Sequence, residues 1–164
     1  MSAGATNGTG PIVTILLDDA PRRAIEAHAE RQRNREVAGF LVGRCLERRA
    51  GGRYVVTISG YLEARFTLLR AGSVTLSPDS WHFAHAELAR RYPGRPSRLA
   101  GWAHTHPGRG AVLSEPDRFI HRAFFRLPWQ VAAVIDPLVR TASFFGWSAG
   151  QGDVQQLPFV WQWG

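Results

Sequence analysis

Two apolar, β-branched runs, Val37 to Cys45 and Tyr54 to Leu62, flank Arg49-Ala50-Gly51-Gly52, and this pattern predicts a buried β-hairpin. The other elements follow around it. Ile12 to Leu17 reads as a strand, and Asp18-Asp19-Ala20-Pro21 as the N-cap and first turn of a helix running to about Arg35, with Ile25, His28, Ala29 and Gln32 on one face. Val74 to Leu76 is a short strand signal. Ser77-Pro78-Asp79 starts a second helix through Arg91, closed by Tyr92-Pro93-Gly94. Leu99 to Ala103 is a strand that delivers His104 at its end, and Ser114-Glu115-Pro116-Asp117 opens a third helix to about Arg126. Gln130 to Ile135 and Thr141 to Trp147 form a last strand pair around Asp136-Pro137, and the apolar tail Leu157 to Trp163 is expected to pack back on the domain. Strands with interspersed helices predict an α/β fold built on a mixed sheet.

The chain has 164 residues, 45% of them hydrophobic and 20% charged, which suits one domain with one core. Residues 1–10 are small and polar and are expected to be a flexible N-terminal tail, with the domain at 11–164. No apolar stretch approaches the ~20 residues of a membrane span, and the N-terminus carries neither a basic nor an apolar signal segment. A cytoplasmic location is the default expectation. Cys45 is the single cysteine, which excludes an internal disulfide and a cysteine-built zinc cage, and its apolar strand predicts an inert buried thiol. All 20 basic residues are arginine, giving a net charge of +7. Two readings of that composition stand side by side: codon bias in a GC-rich genome, and avoidance of lysine by a protein that works beside lysine-modifying machinery. The arginines are scattered and join no nucleic-acid motif, which argues against DNA or RNA as the partner.

The chemistry concentrates between His104 and Asp117. The segment reads His104-Thr105-His106-Pro107, then Ser114 after seven intervening residues from His106, then Asp117 after two more. Residues two apart on a strand point to the same side, so His104 and His106 can present both imidazoles to one point. Two histidines and a carboxylate leave a fourth tetrahedral position open, the arrangement of a catalytic zinc site, whereas Mg²⁺ and Ca²⁺ prefer oxygen ligands. Each part has a plain alternative: Ser-x-x-Asp is also a helix capping box, and a lone pair of histidines is also a surface feature. Jointly, the four fixed positions arise by chance in roughly one chain in ten thousand at ordinary residue frequencies. His82 and His85, one turn apart on the second helix, lack a third ligand in sequence. His121, four residues after Asp117, is a weaker candidate as a partner of a ligand.

The pattern resembles the signature of the JAMM, or MPN-plus, metalloproteases. The upstream run Glu36-Val37-Ala38-Gly39-Phe40-Leu41-Val42-Gly43 is similar to that family's Glu-x-x-Gly-x-Leu-x-Gly strand. Val131 to Asp136 and Phe144-Phe145-Gly146 are similar to its later strands, so the resemblance extends over roughly residues 12–147. It implies an MPN domain, one zinc per chain held by His104, His106 and Asp117, Glu36 as general base and acid, and Ser114 as donor to the oxyanion. It also implies an isopeptidase or peptidase that cuts after the C-terminal glycine of a ubiquitin-like or sulfur-carrier protein. The loops after His106 and Asp136 are short, which resembles the compact prokaryotic members rather than those that grip ubiquitin with insertions. Two further expectations compete with that reading, a non-catalytic MPN scaffold and an arginine-rich nucleic-acid binder.

Overall fold

A computed structural model describes residues 12–49, 52–65, 67–70, 73–94, 98–149 and 152–164. The elements are β1 (Val13–Leu17), α1 (Asp19–Arg31), β2 (Ala38–Arg49), β3 (Arg53–Glu63), β4 (Thr67–Arg70), β5 (Ser73–Leu76), α2 (Pro78–Arg91), β6 (Arg98–Thr105), α3 (Glu115–Phe124), β7 (Val131–Asp136), β8 (Thr141–Trp147) and β9 (Val154–Gln156). Seven strands form one mixed sheet in the order β1-β3-β2-β6-β7-β8-β9, and β4 and β5 make a separate pair. The β1/β3 and β6/β7 pairs are parallel, and the other pairs of the large sheet are antiparallel.

The expected hairpin is β2 and β3, in register from Gly39 opposite Glu63 to Arg49 opposite Arg53; turn residues 50 and 51 lie outside the described residues. Helices cover both faces of the sheet. On one face, Phe40 of β2 and Trp102 of β6 meet Trp81 of α2 and Phe125 just after α3, with ring centroids 5.2 Å apart for Phe40–Trp81 and 6.0 Å for Trp102–Phe125. On the other, α1 buries Ile25, His28 and Ala29, and His28 Nδ1 lies 2.9 Å from the Tyr61 hydroxyl of β3. The tail packs on that same side: Phe159 and Trp161 stand 4.9 and 5.7 Å from Phe144, and Trp161 donates to Glu26 Oε1 at 2.9 Å. Among the described residues, no helix is long and apolar enough to cross a membrane.

Three expectations are corrected. Helix α1 ends at Arg31 rather than about Arg35 because the apolar face runs out: Gln32 is exposed and leaves helical geometry, and Arg35 N–H closes a turn onto Gln32 O at 2.8 Å. Asp18 occupies the cap position, but its side chain makes no capping bond. Cys45 is half-buried: among the described residues β6 pairs with β2 only as far as Gly43, two residues short of it. Strands β4 and β9 had no sequence reading of their own.

Candidate metal centre

Strand β6 lies between β2 and β7, with Ala38 opposite His104 on one side and Thr105 aligned with Ile135 on the other. His106 sits one residue past the strand, and its N–H donates to Ile135 O at 2.8 Å, which prolongs the extended path. The two imidazoles therefore project to the same side, as the period of two requires. Asp117 arrives from α3. Ser114 is the N-cap: its Oγ accepts from Asp117 N–H at 3.3 Å, and its own N–H donates to Asp117 Oδ2 at 2.9 Å. This is a complete capping box with an aspartate as its acidic member. It fixes the Asp117 carboxylate at the helix start, facing the strand end.

His104 Nε2 and His106 Nε2 each lie 3.1 Å from the same oxygen, Asp117 Oδ2. The three side chains are 2%, 6% and 1% exposed, so they converge out of bulk water. One ligand atom from each lies within 4.8 Å of the others. A tetrahedral ion bonded at about 2.0–2.1 Å needs donor atoms about 3.3 Å apart, and the two 3.1 Å spacings to Asp117 Oδ2 fit that requirement. The hydrogen-bonding state supports the same fit. Both ring nitrogens of His104 are buried without an aligned hydrogen bond, although Nε2 is close to Asp117. An orphaned polar atom inside a protein is costly, and a cation between these three groups would satisfy Nε2, the nitrogen that faces them. Burial pushes the His104 pKa down, against the pull of Asp117, and so favours the neutral imidazole that a metal needs. Burial pushes Asp117 up, but the two imidazoles and Ser114 more than offset it and hold the carboxyl well below its usual range.

Glu36 precedes β2. Extending the antiparallel register from Ala38–His104 places Val37 opposite Thr105 and Glu36 opposite His106. The bonds Thr105 N–H to Val37 O and Val37 N–H to Thr105 Oγ1, both 2.9 Å, confirm that alignment. Directly opposed residues share a face, so Glu36 lies on the histidine side of the sheet. Its side chain is 10% exposed, and its Oε1 is in contact with Arg109 Nη2. Arg109 belongs to the loop between His106 and Ser114, whose flanking Gly108 and Gly110 take φ of 73° and 80°, values a side chain would resist. Both glycine amides donate to the buried Asp136 carboxylate, at 3.0 and 2.8 Å, and Leu138 N–H adds a third bond at 3.0 Å. Burial raises the Asp136 pKa, but these amides outweigh it and keep the group an acceptor.

Behind the three converging side chains, Trp102 stacks on His104 with centroids 4.2 Å apart and donates from Nε1 to His121 Nδ1 at 3.2 Å. His121 thus meets the indole on which His104 rests, and its ring is not one of the three groups that converge at Asp117 Oδ2. His82 and His85 are exposed on α2 and stand apart from the cluster. The roles of Arg109 and Asp136 were missed in the sequence, where Asp136-Pro137 signalled only a turn.

No protein-family model matches the chain. A 46-residue segment is 46% identical to the 26S proteasome regulatory subunit rpn11 of Schizosaccharomyces pombe; the match covers 27% of this chain and 15% of rpn11. Among solved structures, the solution structure of protein DSY2949 from Desulfitobacterium hafniense superposes with a TM-score of 0.62. That superposition covers 90% of this chain and 92% of the other, at 18% sequence identity. At that identity the likeness establishes the mixed α/β fold alone.

Proposed function

We propose that residues 11–164 form a zinc-dependent amide hydrolase of the JAMM/MPN kind, cutting after the C-terminal glycine of a ubiquitin-like or sulfur-carrier protein. The observation that carries this reading is the convergence of His104 Nε2 and His106 Nε2 on one oxygen of Asp117, with Glu36 on the same face. The short match to rpn11, a JAMM/MPN protein, agrees with it.

Zinc held by His104, His106 and Asp117 would supply Lewis acidity, polarising a scissile carbonyl and acidifying water. The protein's own groups do the rest. Glu36 accepts the proton of the attacking water and returns it to the departing amine, which leaves poorly without it. Ser114 Oγ accepts from Asp117 N–H through a lone pair, so its hydroxyl hydrogen is available to the oxyanion. Val112, Leu138 and Val139, on the two turns that Asp136 links or beside them, are 63%, 41% and 61% exposed and offer apolar contact to an extended substrate segment.

Glu36→Gln tests the reading. The substrate is a quenched reporter in which a ubiquitin-like C-terminal Gly-Gly is joined to a lysine ε-amine. Turnover is expected to fall by ~10²–10⁴-fold with metal content unchanged. Cleavage within a few-fold of wild type, or loss of metal together with activity, would remove Glu36 from the proton path.

A further inference from the structure

Glu36 sits in the connection between α1 and β2, outside regular structure, where residues 32–35 are exposed. Its backbone is fixed by the neighbouring pairing of Val37 with Thr105, but a glutamate side chain has three further torsions to fix. Among the described residues, its carboxylate finds a partner in Arg109, which comes from the loop between His106 and Ser114.

Arg109 is itself well anchored at the backbone. Its N–H donates to His106 O at 3.1 Å, and the amides on either side of it are the two that Asp136 accepts. Asp136 is 1% exposed and ends β7, the strand that also holds His106 through Ile135 O. One rigid strand end therefore sets both His106 and, three residues later, the root of the Arg109 side chain.

The geometry points to Arg109 as a positioning residue: tied down by Asp136, its guanidinium holds the Glu36 carboxylate in the orientation that faces His104 and His106. This inference rests on the hydrolase reading above, and it extends the site to a loop residue that touches neither metal nor scissile bond. Freezing a glutamate side chain costs conformational entropy equivalent to about a 10- to 30-fold dilution of its one productive rotamer. That factor is what removal of Arg109 should forfeit.

The test compares Arg109→Ala, Arg109→Lys and Glu36→Gln on the same Gly-Gly–lysine reporter, with metal content measured for each. Arg109 is half exposed (52%), so its removal leaves the core untouched. Arg109→Ala is expected to lower kcat about 10- to 30-fold with KM within about two-fold, and Arg109→Lys to recover most of the loss. A second readout needs no turnover. In metal-free protein, the Arg109 side-chain ¹⁵N signal should be more restrained in wild type than in Glu36→Ala, and equal restraint in the two overturns the inference. Arg109→Ala at the wild-type rate, while Glu36→Gln is inactive, overturns this inference and leaves the hydrolase reading standing. A faster Arg109→Ala overturns it too and makes the pair an inhibitory latch. A change confined to KM overturns it in favour of direct substrate contact. Glu36→Gln at the wild-type rate overturns the proton-path reading itself and this inference with it.

Discussion

Replacing Ser114 by alanine separates two roles that share one side chain. The capping box has two bonds, and only one of them depends on the serine hydroxyl. Ser114 Oγ accepts from Asp117 N–H at 3.3 Å, while the reciprocal bond to Asp117 Oδ2, at 2.9 Å, is donated by the Ser114 backbone and survives the substitution. The lost bond is longer than the usual 2.9–3.0 Å, so its cost belongs at the low end of the cap range, about 0.5–1 kcal/mol. For a chain of this size that lowers Tm by about 1–4 °C. Asp117 stays oriented, so metal content should not change. Turnover should fall far more, by ~10²–10³-fold, because an oxyanion donor acts only in the transition state. Thermal melting, metal quantification and turnover of the Gly-Gly–lysine reporter on the same preparation give all three numbers. A mutant that melts a few degrees lower yet turns over within about three-fold of wild type would refute the oxyanion role and leave Ser114 as a cap.

Other expectations follow from the packing around the site. Burial pushes the His121 pKa down to about 4 from its ordinary 6.5. The unfolded chain thus takes up the proton first, and the His121 contribution is full above pH 6.5 and lost as pH falls towards 4. In metal-free protein, the drop in unfolding free energy between about pH 7.5 and 4.5 should be smaller in His121→Gln than in wild type, by on the order of 3 kcal/mol at most; equal drops count against it. Trp102→Phe keeps the ring on His104 but strips the donor from buried His121, and denaturant unfolding should show a loss of about 1–3 kcal/mol. Gly101→Ala would place a methyl 1.7 Å from Val131 O at φ 151°, so β6 must shift. The variant should lose about 3 kcal/mol or more, read as a lowered Tm, and a neutral result would contradict the close β6/β7 approach.

Much of this architecture could be read from the chain. The β7 and β8 runs lie within a residue of their expected bounds because both strands are bracketed by turn residues and packed on each side. The convergence of His104, His106 and Asp117 was legible because its spacing encodes two simple facts: alternate strand residues share a face, and a capping box fixes the third residue of a helix. The end of α1 was not legible, since arginine and glutamine propensities continue a helix that no longer has anything to bury. Strands β4 and β9 are short, with four and three residues, and among the described strands each is paired along one edge only, which leaves little hydrophobic pattern to read. The Arg109–Glu36 contact was likewise hidden. It joins a loop and a pre-strand residue 73 positions apart, through a register that only the folded sheet defines. Asp136 looked like an ordinary turn residue because its bond from Leu138 N–H is local, while its other two bonds come from amides that precede it by 26 and 28 residues.

On the proposed function, His104, His106 and Asp117 hold one zinc ion. Elemental analysis of the chain purified without chelator, beside Asp117→Ala and His106→Ala, tests it most directly. The account predicts close to one zinc per wild-type chain and less than about 0.1 in each variant, since losing one of three protein ligands leaves too few to compete for the ion. Wild-type protein that takes up no zinc when the metal is supplied, or variants that retain it undiminished, would contradict the account.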